Sequence, residues 1–88
     1  MQQISLFIFF LFLVSASKAQ QQETYIKEGN TFFKKGQLAE AVSSYNKVTD
    51  APLKYTALLN KGTALYKQKK YEDAVKTYKQ VWVNLRIN

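Results

Sequence analysis

The sequence predicts an all-α protein made of two similar helical hairpins that follow an N-terminal export signal. Apolar residues in the main part of the chain follow the spacing of one helical face, and a glycine or a proline stands where helices should end. Related segments recur at a fixed distance of 33 residues, which separates the members of three pairs: Gly29 and Gly62, Ala41 and Ala74, and Tyr45 and Tyr78. A period of this size is typical of proteins that stack helix pairs.

The N-terminal segment has the pattern of a signal peptide. Residues 4–14 are almost entirely aliphatic or Phe, which suits a signal-peptide core and is short for a membrane span of about 20 residues. The small residues Ser17 and Ala19 predict cleavage between Ala19 and Gln20. No Lys or Arg precedes the apolar run, so the alternative is an uncleaved anchor that makes the protein a membrane-tethered scaffold.

The composition argues against catalysis. The chain has no Cys and no His, which excludes disulfides, thiolate zinc sites, a thiol nucleophile and the commonest general base. Glu72 and Asp73 are adjacent on a helix and do not face a common point, and Ser43 and Ser44 lack a recognisable base. The sequence therefore predicts no catalytic residue, no metal site and no cofactor.

The mature chain would be small and basic. Removal of residues 1–19 leaves 69 residues with 12 basic and 6 acidic side chains, a net charge near +6. Such a charge suits an acidic protein, an anionic membrane surface or nucleic acid, and an exported protein has least use for nucleic acid. We therefore expect no nucleic-acid partner, and membrane contact only if the N-terminal segment is retained.

The first hairpin follows a polar lead, residues 20–22, which we expect to be disordered. The first helix should begin at Glu23 and end at Gly36, which can adopt the left-handed conformation of a helix stop. Its apolar face is expected to hold Tyr25, Gly29, Phe32 and Phe33. The second helix should cover residues 38–50 and end before Pro52. Its inward face is expected to hold Leu38, Ala41, Val42, Tyr45 and Val48.

The second hairpin repeats this plan. The third helix should cover residues 53–68, with Leu58, Gly62, Leu65 and Tyr66 inward. Lys69 stands where the first hairpin has Gly36, and a left-handed Lys costs about 1 kcal/mol, so we expect a looser turn there. The fourth helix should begin near Tyr71, and its apolar set is Tyr71, Ala74, Val75, Tyr78, Val81, Trp82 and Leu85. The two repeats would then span residues 23–52 and 53–85, before a tail at 86–88.

The two segments resemble the tetratricopeptide (TPR) repeat, whose pattern is W-x2-L-G-x2-Y, then A-x3-F, then P. The first copy reads Tyr25-x2-Glu28-Gly29-x2-Phe32, then Ala41-x3-Tyr45 and Pro52. The second reads Leu58-x2-Lys61-Gly62-x2-Leu65, then Ala74-x3-Tyr78. Glu28 and Lys61 replace a large apolar residue of the pattern. They could pair across neighbouring first helices, although we favour the interpretation that both reach solvent.

The resemblance implies a protein-interaction module that binds a peptide on a concave surface lined by the first helix of each pair. The positions carried over to that surface are Ile26, Asn30, Phe33, Lys34, Leu59, Thr63, Tyr66 and Lys67. Asn30 can hydrogen-bond to an extended peptide backbone, and Lys34 and Lys67 can attract carboxylates. Some TPR modules grip a C-terminal carboxylate, but Ile26 stands where that clamp has a Lys. A general peptide groove is therefore favoured over a clamp, with a solvated lysine face as the alternative.

The chain also resembles, more loosely, the small exported TPR proteins of Bacteroidetes aerotolerance operons. The similar features are the Gln-rich start after residue 19 and the phrases at residues 27–30 and 64–68. This resemblance implies a periplasmic role connected with envelope stress, with a protein or peptide partner in the cell envelope. The rival from another class is a small polyanion- or glycan-binding protein, suggested by the Lys-rich turn at residues 67–70.

The last helix is expected to have an exposed interaction edge. In a longer array another helix would cover it, so Val81, Trp82 and Leu85 should be partly bare. Covering these side chains would stabilise the domain by several kcal/mol, at about 25 cal/mol per Å² of apolar surface. We therefore expect this edge to meet a second copy of the chain, another partner, or the remainder of a longer TPR protein.

Overall fold

The computed structural model describes the backbone of residues 2–87 and the side chains of residues 18–86. The described backbone contains four helices and no strand, which confirms the all-α prediction of two helical hairpins. The helices are α1 (Gln2–Lys34), α2 (Leu38–Asn46), α3 (Leu53–Lys67) and α4 (Tyr71–Ile87). Each helix packs against the next one along the chain, and α1 also touches α3.

The apolar core of the expected signal peptide, residues 4–14, lies outside the residues whose side chains are described, so neither cleavage nor a retained anchor is tested. Within the described part of the chain, no helix combines the length and the apolar character that a membrane crossing requires.

Each hairpin is built around a contact between a glycine and a tyrosine. A Cβ atom added to Gly29 would lie 2.7 Å from Cδ1 of Tyr45, and one added to Gly62 would lie 2.8 Å from Cδ1 of Tyr78. Neither position has room for a side chain. The glycine therefore lets the tyrosine ring of the second helix lie directly on the backbone of the first.

A cluster of buried residues lies where α1, α2 and α3 meet. Its buried members are Ala41, Tyr45, Val48 and Ala57. Partly buried apolar side chains pack around them, and these are Tyr25, Ile26, Phe32, Phe33 and Leu53. Most of the inward faces predicted for α1 and α2 are thus found in this cluster, whereas Leu38 and Val42 are half-buried outside it. On α4 the corresponding small residue, Ala74, is buried as well.

The first hairpin turn ends α1 with a glycine in the left-handed conformation. Gly36 has φ 77°, and its amide donates to the carbonyl of Phe33 at 3.0 Å. The amide of Gln37 donates to the carbonyl of Phe32 at 2.9 Å. These two bonds satisfy carbonyls that the end of the helix would otherwise leave unpaired.

The second hairpin turn is not looser, contrary to the expectation from Lys69. Lys69 has φ 65°, and its amide donates to the carbonyl of Tyr66 at 2.9 Å. The amide of Lys70 donates to the carbonyl of Leu65 at 2.9 Å, which repeats the pattern at Gly36. The two hydrogen bonds hold the turn closed, so Lys69 takes the left-handed conformation despite a cost of about 1 kcal/mol.

Two predictions near α1 and α2 are wrong. Residues 20–22 are helical rather than disordered, and α2 ends at Asn46 rather than at residue 50. The Oε1 atom of Gln22 accepts hydrogen bonds from the amides of Thr49, at 2.9 Å, and Asp50, at 3.3 Å. These amides therefore have a partner outside α2, and the same contact ties the start of the hairpin to its far end.

The inward face of α4 is rotated from the predicted one. Ala74, Thr77 and Val81 are buried, whereas Tyr71 and Val75 are about half exposed. Residues at i, i+3 and i+7 share one side of a helix, so the side that meets α3 leaves Val75 turned away. Val81 was predicted to be partly bare but is only 4% exposed, because it lies on the buried side.

Candidate peptide-binding groove

A groove of about 350 Å³ opens between α1 and α3. Its lining residues are Asn30, Phe33, Lys34, Tyr45, Asn60 and Thr63. Four of the eight predicted surface positions, Asn30, Phe33, Lys34 and Thr63, are thus brought together here. The groove joins the two hairpins, because α1 belongs to the first and α3 to the second.

Asn30 is held in place by hydrogen bonds to its side-chain oxygen. Its Oδ1 atom accepts from the hydroxyl of Tyr45 at 2.6 Å and from Nδ2 of Asn60 at 3.2 Å. An amide oxygen has two lone pairs, so these bonds satisfy it. The Nδ2 atom of Asn30 has no partner in the described part of the chain and is available to donate to a ligand.

Burial raises the pKa of Tyr45 above its usual value. The cause is the loss of solvation, which disfavours the charged phenolate. Tyr45 therefore stays protonated at neutral pH and donates to Asn30. The hydrogen bond reaches from the core to the wall of the groove.

The second hairpin repeats this tyrosine contact at the position 33 residues on. The hydroxyl of Tyr78 lies 3.0 Å from Oγ1 of Thr63. Because the hydroxyl of Thr63 donates to the carbonyl of Leu59 at 3.0 Å, its single hydrogen is used, and Tyr78 donates to Thr63. In both hairpins the tyrosine hydroxyl therefore reaches the residue that follows the buried glycine.

Lys67 joins the two hairpins at the groove. Its Nζ atom lies 4.8 Å from the centre of the Phe33 ring. A cation over an aromatic face at this distance stabilises an exposed contact by about 0.5–1 kcal/mol. Lys34 is exposed and lines the groove, and Lys67 lies beside it through its contact with Phe33. The two ammonium groups give this surface a positive potential that favours carboxylates.

Three predicted surface residues lie elsewhere. Ile26 packs against the core and is half-buried. Leu59 faces α4, where it lines a second groove. Tyr66 was expected to face inward but is 60% exposed, and its ring meets the edge of Tyr71 with the centroids 5.2 Å apart. The groove therefore contains fewer of the predicted residues than the eight positions assigned to the concave surface.

Asn60 and the hydroxyl of Tyr45 were not predicted as part of the groove. Asn60 belongs to a polar stripe, Thr56, Asn60, Thr63 and Lys67, at the spacing i, i+4, i+7 and i+11 of one helical face. That stripe was readable from the sequence. The role of Tyr45 was not, because its ring is a core residue and only the structure places its hydroxyl beside Asn30.

The two charged residues that replace a large apolar residue of the repeat differ in how exposed they are. Glu28 is exposed, as the solvent interpretation predicts. Lys61 is half-buried and lines a groove with Val42 and Asn46 of α2. Its stem therefore covers part of the hairpin interface.

Two of the three residues predicted to form the interaction edge are exposed. Trp82 is 74% exposed and Leu85 is 58% exposed, whereas Val81 is buried. Together with Leu59 and Tyr78 these residues line a groove of about 410 Å³.

Among the described residues, no group of three or more Asp or Glu side chains is placed to hold a metal ion.

Comparison with known families identifies the repeat. A family model described as "Tetratricopeptide repeat" matches residues 22–54, and a second model with the same description matches residues 56–84. Together they cover 62 of the 88 residues. No curated protein and no solved structure gives a significant match to the chain. The resemblance to the aerotolerance-operon proteins stays a prediction.

Proposed function

Because the chain belongs to the tetratricopeptide repeat family, we propose that it is a protein-interaction module that binds an extended peptide in the groove between α1 and α3. The observation that carries this proposal is the fixed Asn30 side chain. Its oxygen is satisfied within the protein and its nitrogen is left to donate to a ligand. A preformed donor of this kind costs little ordering entropy when the ligand binds.

The groove chemistry favours a peptide with acidic side chains. Asn30 would donate to a peptide carbonyl, and Lys34 would attract a carboxylate as a point charge. Phe33 offers an apolar contact beside them. A dedicated clamp for a C-terminal carboxylate is not part of the proposal, because Ile26 carries no charge and packs in the core.

Charge reversal at neighbouring lysines tests the proposal. Lys34 lines the groove, whereas Lys35 is exposed beyond the end of α1 and does not line it. A display library of random decapeptides would be selected on the protein, and the enriched peptides would be measured by calorimetry. We expect enriched Asp and Glu, a loss of about tenfold or more for Lys34→Glu, and a change of less than about twofold for Lys35→Glu.

Equal losses in the two variants, with a steep salt dependence, would instead support the polyanion- or glycan-binding alternative. In that case the net charge and the Lys-rich turn at residues 67–70 would carry the binding. Enriched peptides without acidic residues would contradict the proposed ligand chemistry.

The proposal places the module in the cell envelope. It rests on the apolar run at residues 4–14 and the small residues before Gln20, so we propose export with removal of residues 1–19. Intact mass of the protein recovered from the envelope fraction tests this, since cleavage shortens the chain by nineteen residues. A full-length mass in the membrane fraction would support the tethered scaffold instead.

A further inference from the structure

Helix α4 carries an apolar stripe that is largely exposed in the described part of the chain, although Tyr78 within it packs on Gly62 of α3. Its members follow one another at intervals of 4, 3, 4 and 3 residues, which is the spacing of a helix that packs along a partner helix. Four of them are half exposed or more: Tyr71 at 51%, Val75 at 50%, Trp82 at 74% and Leu85 at 58%. We call these residues, with Tyr78, the α4 stripe.

The first hairpin shows that a helix fits such a surface. The residues 33 positions before Tyr71, Val75 and Tyr78 are Leu38, Val42 and Tyr45 of α2, and α3 packs against that helix. Leu38 and Val42 are half-buried and Tyr45 is buried. On α4 the corresponding residues Tyr71 and Val75 are about half exposed. The α4 stripe is also longer, because α4 continues as a helix through Trp82 and Leu85.

Charges along one border of the stripe indicate which helix covers it. Glu72, Lys79 and Arg86 are seven residues apart and lie along one line on α4, beside the stripe. In an antiparallel pair of α4 helices related by a two-fold axis near Lys79, Glu72 of each copy stands opposite Arg86 of the other. A parallel pair would set all three charges level with the same charge of the other copy, whereas the antiparallel pair does so only for Lys79.

We propose that two copies of this chain associate through the α4 stripe, with the α4 helices antiparallel. The Glu72–Arg86 pairs and the apolar side chains require nearly the same alignment of the two helices along their axes. The axis that pairs Glu72 with Arg86 also sets Val75 beside Trp82 of the second copy, to within about one residue. A self-complementary patch of this kind is what a two-fold dimer requires. The proposal does not rest on the peptide groove.

The net charge gives the dimer a characteristic response to salt. Each chain carries a formal charge of +7, so two copies repel one another at long range. Screening that repulsion should tighten an apolar dimer as salt is added. An acidic partner protein on the same stripe would respond in the opposite sense, because salt weakens attraction between opposite charges.

Analytical ultracentrifugation of the purified protein tests the association. We expect a concentration-dependent dimer that tightens between low and high salt. Trp82→Ala should raise the dimer dissociation constant about tenfold or more, since a central Trp typically dominates such an interface. Trp82 is largely exposed, so circular dichroism should show unchanged helicity. A monomer at the highest concentration reached would overturn the proposal.

Two lysines on α4 provide a matched pair of variants. Lys79 faces its own copy near the proposed axis, whereas Lys76 lies on the far side of the helix from the stripe. Both side chains are exposed, and Lys→Gln removes one positive charge at either position. Lys79→Gln should tighten the dimer more than Lys76→Gln. Equal effects would show that only net charge matters, and would overturn the proposed axis.

A charge swap tests the antiparallel orientation. Glu72→Arg should weaken the dimer because it sets two Arg side chains opposite one another, and Arg86→Glu should weaken it by the same logic. The double variant Glu72→Arg/Arg86→Glu should restore it toward the original dissociation constant. Failure of the double variant to restore association, with helicity retained, would overturn the orientation. At high salt, where repulsion between the net charges is screened, Lys34→Glu should leave the dimer unchanged because Lys34 lies in the peptide groove and not on the α4 stripe.

Discussion

One tyrosine in each hairpin performs two tasks at the scale of single residues. The ring of Tyr45 fills the space that Gly29 leaves open, and its hydroxyl fixes Asn30 at the wall of the groove. Tyr78 does the same with Gly62 and Thr63. The TPR pattern has Phe at this position. A Phe would supply the packing but not the hydrogen bond, so in this protein the core and the groove are linked through the hydroxyl.

Replacement of Tyr45 by Phe tests this link. The variant leaves Oδ1 of Asn30 with one hydrogen bond, so we expect a loss of about 1 kcal/mol in the free energy of unfolding. Because burial raises the pKa of Tyr45 above the usual 10.0, the folded state holds the proton more tightly than the unfolded state. The contribution of Tyr45 to the free energy of unfolding is therefore complete below pH 10.0. It is lost as the pH rises through the raised pKa of the folded state.

Urea unfolding at several pH values would measure the difference between the wild type and Tyr45→Phe. The difference should be constant from pH 7 to about pH 9 and shrink above about pH 10. Tyr66→Phe is the control, since Tyr66 is exposed and its hydroxyl has no partner among the described residues. A difference that grows at alkaline pH would contradict the role assigned to the hydroxyl.

At the scale of the elements, the two hairpin turns have the same hydrogen bonds but different residues at the left-handed position. Gly36 adopts a positive φ without strain, whereas Lys69 does so against the preference of its Cβ atom. The second turn is therefore closed at a cost to stability. The packing of α3 on α4 and the two backbone hydrogen bonds of the turn offset this cost.

Lys69→Gly should stabilise the domain by about 0.5–1 kcal/mol, because relief of strain exceeds the added entropy of the unfolded chain. In a domain of this size the melting temperature should rise by several degrees, at about 4–8 °C per kcal/mol. Thermal unfolding followed by circular dichroism measures the shift. Lys69→Gln is the matched control: it removes the charge but keeps the Cβ atom, and should give a much smaller gain. Equal gains would assign the effect to charge.

At the scale of the whole molecule, stability is unevenly distributed. The buried cluster lies between α1, α2 and α3, and the Gln22 contact ties the start of the first hairpin to its end. The last turns of α4 have mostly exposed side chains, such as Trp82 and Leu85. In a stack of helix pairs each unit is stabilised mainly by its neighbours. The outer part of α4 is therefore expected to open most easily.

Hydrogen exchange should show this gradient. We expect amides of residues 41–46 to exchange on the order of 100-fold more slowly than those of residues 83–86 in the monomer. Measurement at rising protein concentration adds a second test, since dimer formation through the α4 stripe should slow exchange in α4 and leave α2 unchanged. Uniform protection across the four helices would contradict the gradient.

The repeat period, the two hairpins and most of the core could be predicted from the sequence. These features depend on local periodicity, on small residues such as Gly29 and Ala41, and on the stop signals at Gly36 and Pro52. Local patterns determine them because a helix buries whichever face is apolar. The groove was predicted in part: Asn30, Phe33, Lys34 and Thr63 came from positions that the repeat assigns to its concave side.

Only the tertiary structure decided the features that depend on contacts between distant residues. Gln22 accepts a hydrogen bond from the amide of Thr49, 27 positions away, and two backbone bonds close the turn at Lys69. The rotation of α4 buries Val81 and turns Val75 outward, a difference that a sequence pattern cannot resolve because both residues are apolar. Which of two apolar faces meets a neighbour depends on the angle at which the helices pack, and that angle is set by all of their side chains together.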